Sequence, residues 1–489
     1  MPVYNLMESL RLRFFGGVDE IGGNKILLES GEGRVFLDFG VSFNLKRRFF
    51  GGYLKPRTVN LLYSYILTGL IPRIRGIYRE DLLKLDSNAS RLLEGGEEIE
   101  VDGCVISHAH LDHYGHLSLL SPEIKVYVGA TTLLLMRHRE LTRSARGVES
   151  QTTYYKDAED GEKREREIRV FRTGDVFEAG GVRFRPIHID HSIPAAYGFV
   201  AETPEGVVAY TGDFRMHGPK AFFTYDFIEA ARGADLLLIE ATRIDEERKV
   251  TESMVAEELS RWVSGAEGRL VAVLMSEMDF DRLNSVVKAA ENSGRTLILS
   301  ARLMEMLQLL RKSAANIQVP DLGDAAVYLE RRGSGSYDLE KDYKGWMLKA
   351  LTRFQDMGIS LIKGHEISKN QGRYLLIFTK PESILELTEI NPLPGSLLIL
   401  STSEPHNEEQ EIEREKLLKW ASLFGMDVRS SHASGHAERD SIIRLVREIG
   451  PRYVIPIHTE ASETFNKLVQ RSVPGVKPLT PFRGMTEIP

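Results

Sequence analysis

SHAHLDHYGH, residues 107–116, places four histidines and an aspartate within ten positions of a 489-residue chain that has only thirteen histidines in all. If the stretch is extended, side chains two apart point the same way, so His108, His110 and Asp112 line one side and His113 turns to the other. Imidazoles and a carboxylate at that spacing make a ligand arrangement for two adjacent metal ions. Any one of these histidines alone would read as a satisfied structural residue; the run of them does not. VDGCVI, residues 101–106, reads as a short buried strand. The cluster therefore sits in the loop at a strand's carboxyl end, where α/β folds place their chemistry.

Two zinc-like ions need about eight ligand atoms, so more donors must come from elsewhere. The layout of a strand end followed by His or Asp recurs three times. IDHSIPAAYGF offers His191 before a proline-marked turn, with His188 as a rival; YTGDFR offers Asp213; IPIHTE offers His458. Each is weak alone, and their recurrence is the signal.

Length predicts two or three domains. LRLRFF, KILLES, RVFLDFG, KVYVG, VRFRPIHI, YGFVAE and GVVAYTGD read as short strands joined by turns. From about residue 235 strands alternate with helices near 251–264 and 280–293, and the end returns to motif-bearing segments. We expect a first domain over 1–243 and 426–489, interrupted by an inserted domain over 244–425. Residues 59–72, VNLLYSYILTGLIP, read as an amphipathic helix too short to span a bilayer. DAEDGEKREREIR (157–169) and ERRGSGSYDLEKDYKG (330–345) read as solvated loops.

With 63 basic and 70 acidic residues the chain is mildly acidic, which excludes a globally basic nucleic-acid binder but not a local basic groove. Its one cysteine, Cys104, excludes an intramolecular disulfide and fits a reducing cytoplasm. The start, MPVYNLMESLRLRFF, lacks the layout of a secretory signal. NLKRRFFGGYLKPR (44–57) interleaves Lys46, Arg47, Arg48, Lys55 and Arg57 with Phe49, Phe50 and Tyr53. Cations on phosphates and rings under bases grip single strands, and a solvated loop with an apolar anchor is the competing reading.

On these residues the chain resembles the metallo-β-lactamase superfamily and, within it, the β-CASP nucleases that include the RNase J group. FLDFG carries the first motif through Asp38, HAHLDH the second, DHSIP the third through His191, and TGDFR the fourth through Asp213. LIEATR (Glu240), ASGHA (His436) and PIHTE (His458) match the three β-CASP motifs. The resemblance implies a four-layer αββα fold with an inserted α/β β-CASP domain. It implies two Zn2+, with Mn2+ or Mg2+ as further candidates: His108, His110 and His191 on one ion, Asp112, His113 and His458 on the other, and Asp213 bridging. Asp38 would steady a ligand histidine, and His436, oriented by Glu240, would act on a phosphate or leaving oxygen; Asp112, Glu240 and His436 are the expected catalytic set.

The implied activity is ribonuclease, with 5′-to-3′ exonuclease action with or without endonucleolytic cleavage, on single-stranded RNA, by a cytoplasmic homodimer that needs no membrane. The alternatives are a DNA nuclease of the same family and an RNA-binding subunit without catalysis. A histidine in the last motif accompanies the RNA-processing members, and here it is His458. Two stretches also resemble phosphate-handling loops: LSARLM with Arg302, and LSTSEP with Ser401 and Ser403, to which Ser434 of ASGHA is added, although serines there equally suit helix caps. HTE stands where the family usually has HGE, and no counterpart of the C-terminal extension of many bacterial members is expected.

Overall fold

The alternating segments of the first third pair in order. Arg11–Gly16 runs antiparallel to Lys25–Ser30, which runs antiparallel to Gly33–Phe39. The sheet continues in parallel through Gly103–Ile106, Lys125–Gly129 and Ile168–Phe171, and Gly484–Glu487 closes the other edge. A second seven-stranded sheet follows the order Phe177–Ala179, Val182–Ile189, Ala196–Thr203, Gly206–Tyr210, Leu236–Glu240, Tyr453–Ile457, Lys477–Pro478. This architecture is that of a computed structural model, which describes residues 10–143, 147–247, 250–313, 317–405 and 408–487. Residues 1–9 of the opening stretch lie outside the described residues.

Period-two alternation sends Leu12, Phe14, Ile26, Leu28, Val35 and Leu37 of the first sheet, and Phe184, Phe199, Val208, Leu236, Leu238 and Ile455 of the second, into one buried cluster. Burying each such side chain contributes about 1.5–3 kcal/mol relative to exposure, which holds the two sheets face to face. Helices cover the far faces: Ala130–Thr142 over the first sheet; Ala221–Ala231, Arg439–Ile449 and Ser462–Ser472 over the second. The result is the four-layer αββα arrangement. The contact of Ala221–Ala231 is close because Gly198 has no Cβ; one would lie 2.6 Å from the Phe227 ring. As its pattern predicts, Leu61–Leu67 is a helix that buries Leu61, Leu62, Tyr65 and Ile66.

The inserted unit is a single parallel sheet. Its order is Leu361–Ile362, Ala326–Tyr328, Thr296–Ser300, Tyr374–Phe378, Val271–Met275, Leu397–Ser401, Asp427–Ser430, and the helices expected near 251–264 and 280–293 are Glu252–Gly265 and Phe280–Asn292. Continuous apolar runs such as VAVLM and LLILS suit strands covered on both faces.

The compact units divide the described chain into 10–216, 220–247 and 435–487 on one side and 217–219 and 250–434 on the other. The expected return at residue 426 comes too early. Asp427–Ser430 pairs in parallel with Leu397–Ser401, so the insertion keeps that strand and runs on to 434. The expected boundary at 243/244 also cuts short a segment that stays with the sandwich, where Arg243 bridges Glu438 and Glu246 O accepts from Arg439 N.

Two expected loops are more ordered than their composition suggests. Residues 157–162 form the tip of a hairpin between Tyr154–Lys156 and Lys163–Glu165. The Asp157 carboxylate accepts from Glu159 N and Asp160 N, and Arg164 pairs with both Asp157 and Asp160. In 330–345, the Asp342 carboxylate gathers Ser334 N and Oγ, Ser336 Oγ and Asp338 N. Local side-chain-to-backbone bonds thus replace a hydrophobic reason for order. Among the described residues no helix is long and apolar enough to cross a membrane.

Candidate metal centre

Six strands of the sandwich deliver their carboxyl ends to one place. Gly33–Phe39 and Gly103–Ile106 are parallel in the first sheet, as are Gly206–Tyr210, Leu236–Glu240 and Tyr453–Ile457 in the second. Val182–Ile189 shares the latter direction through two antiparallel steps. Asp38, the 108–113 cluster, Asp213, Glu240, His458 and His191 sit on or just beyond these ends.

The cluster itself departs from a simple extended reading. It is extended only to His110, and Leu111–Tyr114 is a single helical turn. Leu111 O and Asp112 O are taken by Val41 N and Asn24 N from neighbouring loops, which fixes that turn. His113 therefore does not point away. Its ring lies 4.0 Å from that of His108. Gly40 permits the close approach, since a Cβ there would fall 1.6 Å from Asp112 O.

Each of four histidines is held at Nδ1 by an outer partner and aims Nε2 inward. His191 Nδ1 lies 2.6 Å from Gly435 O, and a carbonyl can only accept. His113 Nδ1 donates to Asp38 Oδ2 at 2.7 Å. His108 Nδ1 lies 3.0 Å from Ser107 Oγ, whose own proton goes to Asp38 Oδ2 at 2.8 Å. His458 Nδ1 lies 2.9 Å from Thr242 Oγ1, whose proton goes to His458 O at 3.0 Å. With their outer nitrogens engaged in this way, four Nε2 atoms face inward.

What they face is more lone pairs. His108 Nε2 and His191 Nε2 stand 3.0 and 3.2 Å from His110 Nδ1, and 3.7 and 3.9 Å from Asp213 Oδ2. His113 Nε2 stands 3.1 Å from the same Asp213 oxygen; His458 Nε2 is 3.6 Å from it and 3.3 Å from Asp112 Oδ2. Asp213 Oδ1 is buried with no hydrogen-bond partner among the described residues. Converging acceptors in a buried site repel one another unless a cation lies among them, so this donor set fits metal ions. The donors fall into the groups His108, His110, His191, Asp213 and Asp112, His113, His458, with a third group of Asp213, His436 and His458.

Burial pushes His108 and His191 well below the ordinary imidazole value and His110 down to about 4, so these rings are neutral, as ligation requires. Burial also opposes charge on His113, but Asp213 and Asp38 on either side outweigh it and hold the ring well above its usual value. At His436 burial is likewise outweighed, by Glu240 and then Asp213, and the ring is held at about 9.

His436 and Glu240 stand at the rim. His436 Nδ1 is 3.2 Å from Glu240 Oε1, and its side chain is 22% exposed where those of His108, His113, His191 and His458 are at most 1%. Glu240 is fully buried, and Phe214 N and Thr242 N donate to its two oxygens.

Asp38 owes its aim to a bulge. Lys25 pairs with Phe39 and Ile26 with Leu37, so Asp38 is left out of the ladder, with φ +60°. Its carboxylate accepts from Ser107 N, Ser107 Oγ, His113 Nδ1 and Tyr210 OH. His458 is also left-handed, at φ +56°. His188 is not in the cluster; it stacks on Tyr197, and burial brings it to about 4.

Sequence reasoning missed the residues that hold the loops. Thr242 stands between His458 and His436; Tyr210 and Asn24 back Asp38; Gly435 meets His191. Asp190 and Arg215, both buried, pair through Arg215 Nε at 3.2 Å and Arg215 N to Asp190 O at 2.7 Å, tying the His191 loop to the Asp213 loop. Only adjacency to the motifs could have pointed to them.

Several expected substrate residues are engaged elsewhere. Ser401 is 1% exposed; its hydroxyl donates to Ser431 O at 2.6 Å and accepts from Arg282, so it is not presented to a ligand. Arg302 pairs with Glu277 at 3.0 Å. Lys46 pairs with Glu149 at 2.5 Å. Ser403 is exposed, and Ser434 is half-buried with its carbonyl accepting from His217. Arg47 and Arg48 are exposed.

Residues 87–275 match the model of the beta-lactamase superfamily domain, and 425–481 that of the Zn-dependent metallo-hydrolase RNA specificity domain. Among curated relatives, ribonuclease J of Pyrococcus abyssi is 23% identical over 476 residues, covering 93% of this chain and 90% of that protein. The chain is thus similar to the metallo-β-lactamase superfamily and, within it, to ribonuclease J. Ribonuclease J of Sinorhizobium meliloti is 24% identical over 367 residues, which are 73% of this chain; the match spans little more than half, 57%, of that longer relative. In fold, the RNase J-like chain is similar to a crystal structure of a protein of unknown function from Enterococcus faecalis V583, with TM-score 0.72 and 21% identity over 98% of this chain and 99% of that one.

Proposed function

We propose that the chain is a metal-dependent ribonuclease that hydrolyses phosphodiester bonds of single-stranded RNA, with two zinc ions as its resident metals. The observation that carries this reading is the convergence of histidine lone pairs on Asp213 and Asp112 in a buried site. His108, His110 and His191 would hold one ion, Asp112, His113 and His458 the other, and Asp213 would serve both. A pair of divalent ions supplies Lewis acidity, which lowers the pKa of water and neutralises charge developing on phosphate oxygens.

The chain's own groups do the rest. Asp38, Ser107, Thr242 and the Gly435 carbonyl fix ring orientation before substrate arrives. Glu240 orients His436 and favours its protonated form, so that the ring donates to a phosphate or leaving oxygen. Burial of the remaining donors keeps bulk water from competing for them.

RNA as substrate is supported by the name ribonuclease J carried by the relatives and by the RNA specificity domain matched over 425–481. From the resemblance of the sequence motifs we further infer a 5′-to-3′ exonuclease mode and a homodimer, and the single buried cysteine supports a cytoplasmic setting. Elemental analysis of the purified protein, beside degradation of labelled RNA and DNA of one sequence, tests the reading. Two equivalents of zinc and faster loss of RNA are expected. Faster cleavage of single-stranded DNA, or no cleavage by the fully loaded protein, overturns it.

A further inference from the structure

Residues 43–60 form a lobe rooted beside the metal cluster. Val41 N binds Leu111 O, Ser42 binds Glu20 and caps the helix Phe43–Phe49 through Leu45 N, and Asn44 Nδ2 binds Glu460, two residues from His458. The base is anchored. The Phe50 ring meets Tyr65 edge-on at 5.5 Å, and Lys46 lies over Tyr65 while pairing with Glu149.

Beyond that base the lobe projects outward. Gly51 and Leu54 exchange both backbone hydrogen bonds, at 3.0 and 2.8 Å, closing a tight turn with Gly52 at φ +49°. Tyr53 is presented at its tip, 93% exposed, and Phe49 is exposed on the preceding helix. An aromatic side chain in that position contributes nothing to the core. The stretch contains no carboxylate, and once Lys46 is paired it leaves Arg47, Arg48, Lys55 and Arg57 exposed; Arg48, Lys55 and Arg57 have no acidic partner among the described residues. On a chain of net charge −7, this is a local cationic surface carrying open rings.

We propose that this lobe is the single-stranded RNA grip of the protein, with Tyr53 and Phe49 stacking on bases and Arg47, Arg48, Lys55 and Arg57 contacting phosphates. The inference rests on the ribonuclease reading and adds to it which surface holds the strand next to the reactive phosphate. Charge complementarity selects the occupant. Unpaired cations with no anion among them suit a polyanion, and solvent-facing rings suit unstacked bases, not a duplex whose bases are hidden. A two-fold contact with a second copy through this face would set like charges against each other.

The test measures fluorescence anisotropy of a labelled 12-nucleotide RNA on the full chain in calcium, with a salt series and sedimentation of each variant. Y53A combined with F49A is expected to weaken binding roughly 5- to 100-fold. Replacing Arg48, Lys55 and Arg57 by Gln is expected to flatten the log–log salt slope by about 2. Unchanged affinity and slope, with wild-type protein binding and degrading RNA, would overturn the lobe assignment and leave the ribonuclease reading intact. Wild-type protein that loads zinc yet neither binds nor cleaves RNA would overturn that reading and the lobe with it. Variants that shift the sedimentation coefficient while retaining RNA affinity would make the lobe an interface between copies instead, and a duplex competing as well as the single strand would remove the stacking role.

Discussion

At the end of Gly206–Tyr210 in the sandwich unit stands Asp213, buried, with five histidine nitrogens within 4.0 Å of one oxygen and, among the described residues, no hydrogen-bond partner on the other. At the end of Leu397–Ser401 in the inserted unit stands Ser401, equally buried, with its hydroxyl engaged on both sides. Behind Ser401, Arg282 is fully buried and spreads its guanidinium over Glu252, Ser401 O and Ala433 O. One unit leaves strong acceptors uncompensated; the other compensates every group it buries there. An unmade bond to a buried polar atom costs about 1–3 kcal/mol, so the first arrangement persists as an invitation to a cation and the second as structure.

Substitutions at the two places should therefore fail in different ways. Asp213→Ala is expected to lose metal and activity together, because a ligand shared by the whole set is gone. Arg282→Leu is expected to lower stability by about 3–5 kcal/mol, since the buried Glu252 loses its ion pair with the guanidinium, while the folded fraction keeps its metal. Elemental analysis beside urea denaturation separates them. Metal loss in the Arg282 variant at full folding would break the contrast.

Within the sandwich the contrast sharpens at His436, whose ring is more open to solvent than those of His108, His113, His191 and His458. His436→Ala should retain near-full zinc while losing about 10²- to 10⁴-fold in turnover, the range for a positioned acid or base. Glu240→Gln should lose less, since the imidazole stays and only its orienting charge goes. The competing geometry is explicit: His436 also falls within a group with Asp213 and His458 that could hold an ion. Zinc lost in step with single-turnover rate would place His436 among the ligands.

How much of this the sequence discloses depends on what each residue must be. The proposed ligand positions call for one of a few metal-binding side chains at strand ends, so His108, His110, His191, Asp213 and His458 stand out, and so does the switch from strand-rich to alternating segments. Thr242, Tyr210 and the Asp190–Arg215 pair do not, because their residue types are ordinary and only tertiary placement makes them matter. Ser401 and Arg302 are ambiguous for the converse reason. A serine or arginine after a strand suits an anion, a cap or a buried pair equally, and the choice is made by partners far away in the chain, Arg282 and Glu277. The extended reading of 107–116 fails past His110 because Asn24 and Val41, over 65 positions away, hold the next two carbonyls in a helical turn.

Thr242 offers a smaller effect on the same side of the comparison. Thr242→Val keeps the shape but removes the acceptor for His458 Nδ1–H and the donor to His458 O. Zinc affinity, read by competition with a chromophoric chelator, should fall about 10- to 100-fold, the usual cost of losing an outer partner of a ligand histidine. Thr242→Ser should restore it. Failure of the serine to rescue would mean that the threonine methyl, not the hydroxyl, does the work.

The smallest expected change lies at Ser401 and is the most discriminating for the inserted unit. Ser401→Ala deletes a hydroxyl that both accepts from Arg282 and donates to Ser431 O. Arg282 keeps Glu252 and two carbonyls, so its charge stays compensated; what is lost is one acceptor and one donor inside a folded network. Stability should drop by about 1–3 kcal/mol, seen as a lower urea midpoint at unchanged slope. The KM for RNA should not move, because no ligand reaches a side chain that is turned inward and bonded at both ends. A raised KM at unchanged stability would reverse the assignment: the serine would then be a phosphate contact, and the strand ends of the two units would both be functional.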